Sequence, residues 1–334
     1  MAWRLLLSTS YIKPFRLLPP PPPHQIPSPI LNINNTQFHY NNSNKTNSRA
    51  LNLRGPIQRR AQDKNSAGSG GVSDEQAEVV RRAQQVGLWA AEAAYILWLF
   101  LLPYAPGDPL WAIKSSTISD LIGLSLNFFY VLPLLNYAGI HVLEAPVLHP
   151  MSEGLFNFVI SWTLLFAPLL FTDCRRDRYK WSLDILWGFQ MFLTNTFLIP
   201  YMAIRLNDKD LNTPQKQTPL ASLMTNGAQV VGLIGGGVCL LSIFWALFAR
   251  GDGDFGNITD RLEFLGSYLG SERLAYAFIW DICLYAIFQP WLIRDNLQNV
   301  KPRYQKIVRN LRYIPVVGLV AYLVSLDDTA GADI

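Results

Sequence analysis

The chain has 334 residues, of which half are hydrophobic and only 16% charged, and it carries 10 Trp and 18 Phe. That balance is poor in charge for a soluble enzyme and ordinary for a membrane bundle with polar ends. The net charge of +4 does not make a nucleic-acid surface, because the basic residues sit in an N-terminal segment and in loops between apolar runs. Cys174, Cys239 and Cys283 form no C-x-x-C pair and two lie in apolar runs, which excludes a disulfide framework and a thiolate zinc site.

Residues 1–62 contain no Asp or Glu but do contain Arg4, Lys13, Arg16, Lys45, Arg49, Arg54, Arg59 and Arg60, among many Ser, Asn and Pro. A basic, acid-free, hydroxyl-rich segment reads as an organelle transit peptide. Residues 5–7 are too short an apolar core for a secretory signal, and the proline run at 19–23 breaks a long amphipathic helix, so the composition favours a plastid over a mitochondrion. The expected cleavage lies near Arg60. A disordered tail is the plainer reading. Residues 63–82 then read as a polar linker and a short helix.

Residues 83–326 read as an all-α polytopic membrane helix bundle of six or seven transmembrane helices. The first run covers residues 83–107 and holds one acid, Glu92. The second covers 121–143. Runs at 154–172 and 185–204 flank a charged loop and read as a transmembrane hairpin, giving spans three and four. Span five is placed at 230–249 and span six at 274–293, where Asp281 is the one charge. Each run is about the ~20 residues that cross a ~30 Å hydrocarbon layer. Residues 313–326 are short for a crossing and suit a thin span or a re-entrant piece equally. No run alternates with period two, so a β-barrel is not indicated. Residues 258–269 show helical spacing of Ile and Leu, which fits a helix in the interface or a plain connector. Gly232 and Gly236 make a small-xxx-small face for close helix packing, not a phosphate loop, since no Lys-Ser/Thr follows. Residues 327–334 form an acidic tail.

Three sets of residues invite a functional reading. His141, Glu144, His149 and Glu153 fall in one loop, and imidazoles beside carboxylates suit a metal or a pigment ligand. Pro146 and Pro150 break any helix that would set ligand spacing, so an interfacial turn with capping side chains is the alternative. Glu92 and Asp281 are acids inside apolar runs, where such groups face a cavity or a partner; they suggest a transport path, or else packing contacts. Arg175, Arg176 and Arg178 suit phosphate or anionic headgroups, or simple topological anchoring. No catalytic constellation is present, and no cofactor is specified.

The expected function is that of an integral plastid membrane protein, in the thylakoid or inner envelope, acting as a non-enzymatic accessory in assembly or maintenance of a membrane complex. Its partners would be the lipid bilayer and other membrane proteins of such a complex, with no nucleic acid. A small-molecule or ion transporter using the intramembrane acids is one alternative. A membrane enzyme of isoprenoid, pigment or lipid metabolism is another. Lys and Arg on alternate sides of a seven-span chain are too evenly divided to fix orientation, with a lean towards a stromal N-terminus.

Overall fold

The computed structural model describes residues 70–208, 218–251 and 253–327. The expected transit segment, its cleavage site and the tail beyond Asp327 lie outside the described residues. Helix is the regular structure throughout; the described residues add only one isolated bridge, between Val300 and Leu326. In chain order the helices are α1 (Gly70–Ile96), α2 (Ser115–Leu126), α3 (Val131–Tyr137), α4 (Pro150–Phe171), α5 (Leu183–Leu193), α6 (Asn195–Ile204), α7 (Pro219–Asn226), α8 (Ala228–Phe248), α9 (Ile258–Ser271), α10 (Arg273–Asp295), α11 (Gln305–Leu311) and α12 (Val317–Val324). A π-helical turn, Leu97–Leu101, extends α1. The polar helix expected before the first run is therefore continuous with it.

Four segments are long and apolar enough to cross a membrane: Ser115–Tyr137, Pro150–Phe171, Ala228–Phe248 and Arg273–Asp295. α4 is the centre. Its most apolar window is 83% buried against 22% for α8, so α4 is surrounded by protein while most of α8 faces outward. α8 packs antiparallel on α4: a Cβ on Gly154 would meet Ala246, and one on Gly235 would meet Leu165. α10 packs parallel to α4, with Phe156 against Phe278, Thr163 Oγ1 2.6 Å from Tyr285 Oη, and Trp162 Nε1 donating to Gln289 Oε1 at 3.1 Å. α4 thus has a Glu153 end and an Asp173 end, and every other element can be placed against them.

α1 runs the whole length. Arg81 donates to the Leu206 carbonyl at the Asp173 end. At the Glu153 end Arg273 donates to the Leu99 and Leu102 carbonyls at 3.2 and 2.8 Å, satisfying carbonyls that a terminating helix leaves without partners. Gly232 and Gly236 lie where α12 packs on α8; a Cβ on Gly236 would stand 2.7 Å from Val320 and one on Gly232 3.1 Å from Leu323.

The run expected as span four is not one helix. It breaks at Thr194 (φ 42°), a left-handed position that costs a β-branched residue conformational energy. α5 enters from the Asp173 end and Thr194 touches Asp281, half-way along α10. α6 then returns, so that Arg205 meets Asp173 again. The ring stack of Phe189 on Phe197, 5.3 Å apart, closes the hairpin. Helices of 11 and 10 residues rise only about 15 Å each, half a hydrocarbon layer. Residues 154–204 are therefore one long helix followed by two short antiparallel helices, where two long helices were expected.

Two further apolar runs are divided. Ser115–Tyr137 bends at Phe129 (φ 51°) and Tyr130 (φ 58°). Polar contacts on both sides of the bend go to the Glu153 end: Thr117 to Glu272 at 3.4 Å, and the Phe129 amide to Asn157 at 2.7 Å. The 313–326 run contains the eight-residue α12; Ile314 at its start accepts from Gln289 part-way along α10 at 2.9 Å, and Ser325 at its end accepts from the Lys301 amide at 3.0 Å at the Asp173 end.

Candidate functional site

Four acids are buried among the described residues: Glu92, Glu153, Asp173 and Asp281. Two of them are matched by arginine. Glu153, on the first turn of α4, accepts from Arg250 Nε at 2.9 Å and Nη2 at 2.5 Å, from Trp245 Nε1 at 2.7 Å and from Asn127 Nδ2 at 2.5 Å. Asp173, just past α4, accepts from Arg205 Nε and Nη2 at 2.8 Å each, from Tyr201 Oη at 2.7 Å and from Asn296 Nδ2 at 3.0 Å. Burial works against the charged Asp173, but the Arg205 guanidinium outweighs it and holds the carboxyl below its ordinary value. These clusters weld α4 to α8 at one end and to α6 and α10 at the other. They are structural ion pairs whose hydrogen bonds compensate desolvation.

The other two buried acids have no arginine or lysine against them. Asp281 Oδ1 accepts from Thr194 Oγ1 at 2.7 Å, Asn195 Nδ2 at 2.7 Å and Tyr95 Oη at 3.1 Å. All three side-chain donors go to one oxygen, and the Asn195 backbone amide also approaches the carboxylate. On the hairpin around this tip several buried polar atoms have no protein partner among the described residues: Asn195 Oδ1, Thr196 Oγ1 and both polar atoms of the Gln190 amide; Glu92 Oε2 on α1 is likewise buried without one. Gln190 and Asn195 are fully buried. Unmatched polar atoms of this kind are rare in native interiors and mark a missing water, ion or ligand. The tip is thus a cluster of buried polar side chains half-way along an apolar bundle. Beside it, an apolar cleft of about 600 Å³ between α1 and α10 is lined by Tyr95, Trp98, Tyr276, Trp280 and Leu284 and opens outward.

The loop residues are distributed differently from the transport-path acids. His141 and Glu144 are exposed. His149 caps α4, its Nδ1 accepting from the Met151 amide at 3.2 Å, and its ring stacks on Phe264 with centroids 3.5 Å apart. Burial, with Arg261 nearby, pushes the imidazole down to about 4. Glu153 belongs to the Arg250 cluster. No three of the four residues share a place, and no cluster of three His, Cys, Asp or Glu that would hold a metal occurs among the described residues. Arg176 donates to the Phe171 carbonyl, Arg178 to the Arg205 carbonyl at 3.0 Å, and Arg175 stands 3.9 Å from Asp295. Two of the three loop arginines therefore cap helix C-termini.

Asn195 and Gln190, polar residues inside an apolar run, could be read from the sequence as lining one interior with Glu92 and Asp281; Thr194, Tyr95, Asp173, Arg205 and Arg250 take part in these clusters without having stood out as site residues. No family model, characterised protein or solved structure matches the chain.

Proposed function

We propose that this chain is an integral plastid membrane protein whose core carries a small cation or a proton, as a transporter or channel-like carrier. The observation behind the proposal is Asp281: a carboxylate at mid-depth with no basic partner, bonded to Thr194 and Asn195 where a re-entrant hairpin turns. Discontinuous helices that meet an acid at the bilayer midplane are a recurring way to bring polar backbone and charge into lipid, and they are tolerated where they line a cavity. The accessory role remains supported by the outward apolar face of α8, which includes Leu233, Leu240 and Phe244. Lipid alone would cover that face equally well, so it argues less specifically. The enzyme reading rested on the His141–Glu153 loop, whose ionisable groups are spread apart.

In this proposal four helices cross, α1, α4, α8 and α10, fewer than the six or seven expected. This topology also speaks to orientation. At the Glu153 end the described basic residues are Lys114, Arg250, Arg261 and Arg273; Arg81, Arg175, Arg176, Arg178, Arg205, Arg294 and Lys301 belong to the Asp173 end. This distribution supports a stromal Asp173 end by the positive-inside rule, in keeping with the lean of the loop charges.

The test is flux. Purified protein in sealed proteoliposomes is expected to move protons or monovalent cations above the protein-free leak, and Asp281→Asn is expected to lower that rate at least about tenfold. Wild-type vesicles no leakier than empty ones, together with recovery of the native protein in a stable membrane complex, return the chain to the accessory role.

A further inference from the structure

The two arginine-matched acids and the two unmatched ones differ in position. Glu153 and Asp173 sit at the ends of α4, each against a guanidinium. Asp281 sits in the middle, with three side-chain donors on Oδ1 and no arginine or lysine among the described residues against it. Asn195 has turned its Nδ2 to the carboxylate, which leaves its Oδ1 buried with no donor. α5 ends at Leu193, and the last carbonyls of any helix lack intrahelical donors. Of these only the Gln190 carbonyl is taken, by the Thr194 amide at 2.8 Å. The C-terminal end of α5 also carries the partial negative charge of the helix dipole. Carboxylate, amide oxygen, hydroxyl and helix-end carbonyls make a hard, all-oxygen donor set, the kind that alkali cations take.

We propose that the tip of the α5–α6 hairpin is a binding site for a monovalent alkali cation, Na⁺ or K⁺, held by Asp281 Oδ2, Asn195 Oδ1 and the terminal carbonyls of α5. One carboxylate in the cluster balances one positive charge, so a divalent ion is disfavoured; Glu92 makes no contact with Asp281. Access runs along α5. Trp187, Gln190 and Thr194 recur at i, i+3 and i+7 and so form one stripe. The Trp187 Nε1 and the whole Gln190 amide on that stripe are buried without partners. They mark a hydrated approach from the Asp173 end to the cluster. Thr194, strained at positive φ, ends α5 against Asp281, so that the C-terminal end of α5 and the side chain of Asn195 meet at the same carboxylate.

The inference rests on the transport reading for its purpose but is tested apart from it. The full chain, purified in detergent, is titrated with NaCl, KCl or choline chloride at fixed ionic strength and pH, and its melting temperature is followed by Trp fluorescence. Sodium or potassium is expected to raise the midpoint saturably, by about 5 °C or more, while choline does nothing. Asp281→Asn and, separately, Asn195→Ala are expected to abolish the ion-dependent part; Asn195→Asp, which keeps an oxygen there, is expected to retain it. An identical response to all three salts, a response to pH alone, or an alkali shift that survives both Asp281→Asn and Asn195→Ala overturns the proposal. Cation binding without flux overturns the transporter and keeps the site; flux without cation binding does the reverse.

Discussion

Asp173 and Arg205 form a two-pronged ion pair with both side chains fully buried, Nε–Oδ2 and Nη2–Oδ1 each 2.8 Å. Asp173 follows α4 and Arg205 follows α6, so the pair fastens the open end of the re-entrant hairpin to the central helix. Arg205 Nη1 also reaches Asp295 at the end of α10, 3.0 Å away. Removing one partner strands the other charge in a dry site, which typically costs about 3–5 kcal/mol. Asp173→Asn is expected to lower unfolding stability in detergent by that order. The double change Asp173→Leu/Arg205→Met is expected to recover much of the loss. The exposed Arg82→Gln serves as the comparison, and an Asp173→Asn midpoint indistinguishable from it would remove the pair from the list of fold determinants.

Acid acts on this fold in two stages, and the signs can be worked out. His149 titrates near 6.5 when unfolded and is held at about 4 in the fold by burial and by Arg261. Between those values the unfolded chain binds more protons, so stability falls as pH drops from about 6.5 towards 4. Because the ring is partly exposed, the loss is put at only about 1 kcal/mol after screening. Asp173 is also held below its ordinary value, so its contribution is intact above about 4 and is lost only on further acidification. His149→Phe keeps the stack on Phe264 and is expected to flatten the pH 7 to 5 limb while leaving the steeper acid limb. Melting curves at half-unit pH steps check this; an unchanged slope from 7 to 5 assigns the first stage to another group.

The full-length helices were legible in the sequence because unbroken apolar length is itself the signal. The runs at 154–172, 230–249 and 274–293 correspond to α4, α8 and α10 within a few residues. The Gly232/Gly236 face was legible for a similar reason, since only a small side chain admits a neighbour so close. The run at 185–204 looked the same as these by composition and is not. What folds it back is a single left-handed residue, Thr194, and a distant acceptor, Asp281, which no local pattern encodes. The charge pairs were hidden for the same cause. Glu153 read as a loop carboxylate near two histidines, whereas its partner Arg250 arrives from the far end of α8 at a positive φ of 65°. The isolated acid Asp281 was legible, as was Asn195 as a polar residue of the same interior; Thr194 and Tyr95 were not.

Packing between α8 and α12 gives a sharp local test. A Cβ on Gly236 meets Val320 Cγ2 at 2.7 Å, while the next residue, Gly237, has nothing within 4 Å. Gly236→Val is expected to destabilise by about 1–3 kcal/mol through overpacking. Gly237→Ala, in open space on the same helix, is expected to be neutral or slightly stabilising, since alanine is the better helix former by about 1 kcal/mol. Equal effects from the two changes would mean that α12 does not lie against that face.

The re-entrant hairpin makes the most direct prediction, because it reverses the sidedness of everything after it. Trp181 precedes α5 and is 74% exposed; Asn207 follows α6 and is exposed. If α5 and α6 together crossed the layer, these residues would stand on opposite faces. With Thr194 turning the chain at Asp281, they stand on the same face, alongside Arg81, which touches Leu206. With Cys174, Cys239 and Cys283 replaced by alanine, Trp181→Cys and Asn207→Cys introduced singly into sealed membranes are both expected to react with an impermeant maleimide from one side. Gly251, at the opposite end of α8, is the control, and Gly251→Cys is expected to react only after the membrane is opened. Labelling of Trp181→Cys and Asn207→Cys from opposite sides makes residues 185–204 a true crossing. Asp281 then loses the helix ends that give its cluster oxygen donors, and the cation site loses its basis with them.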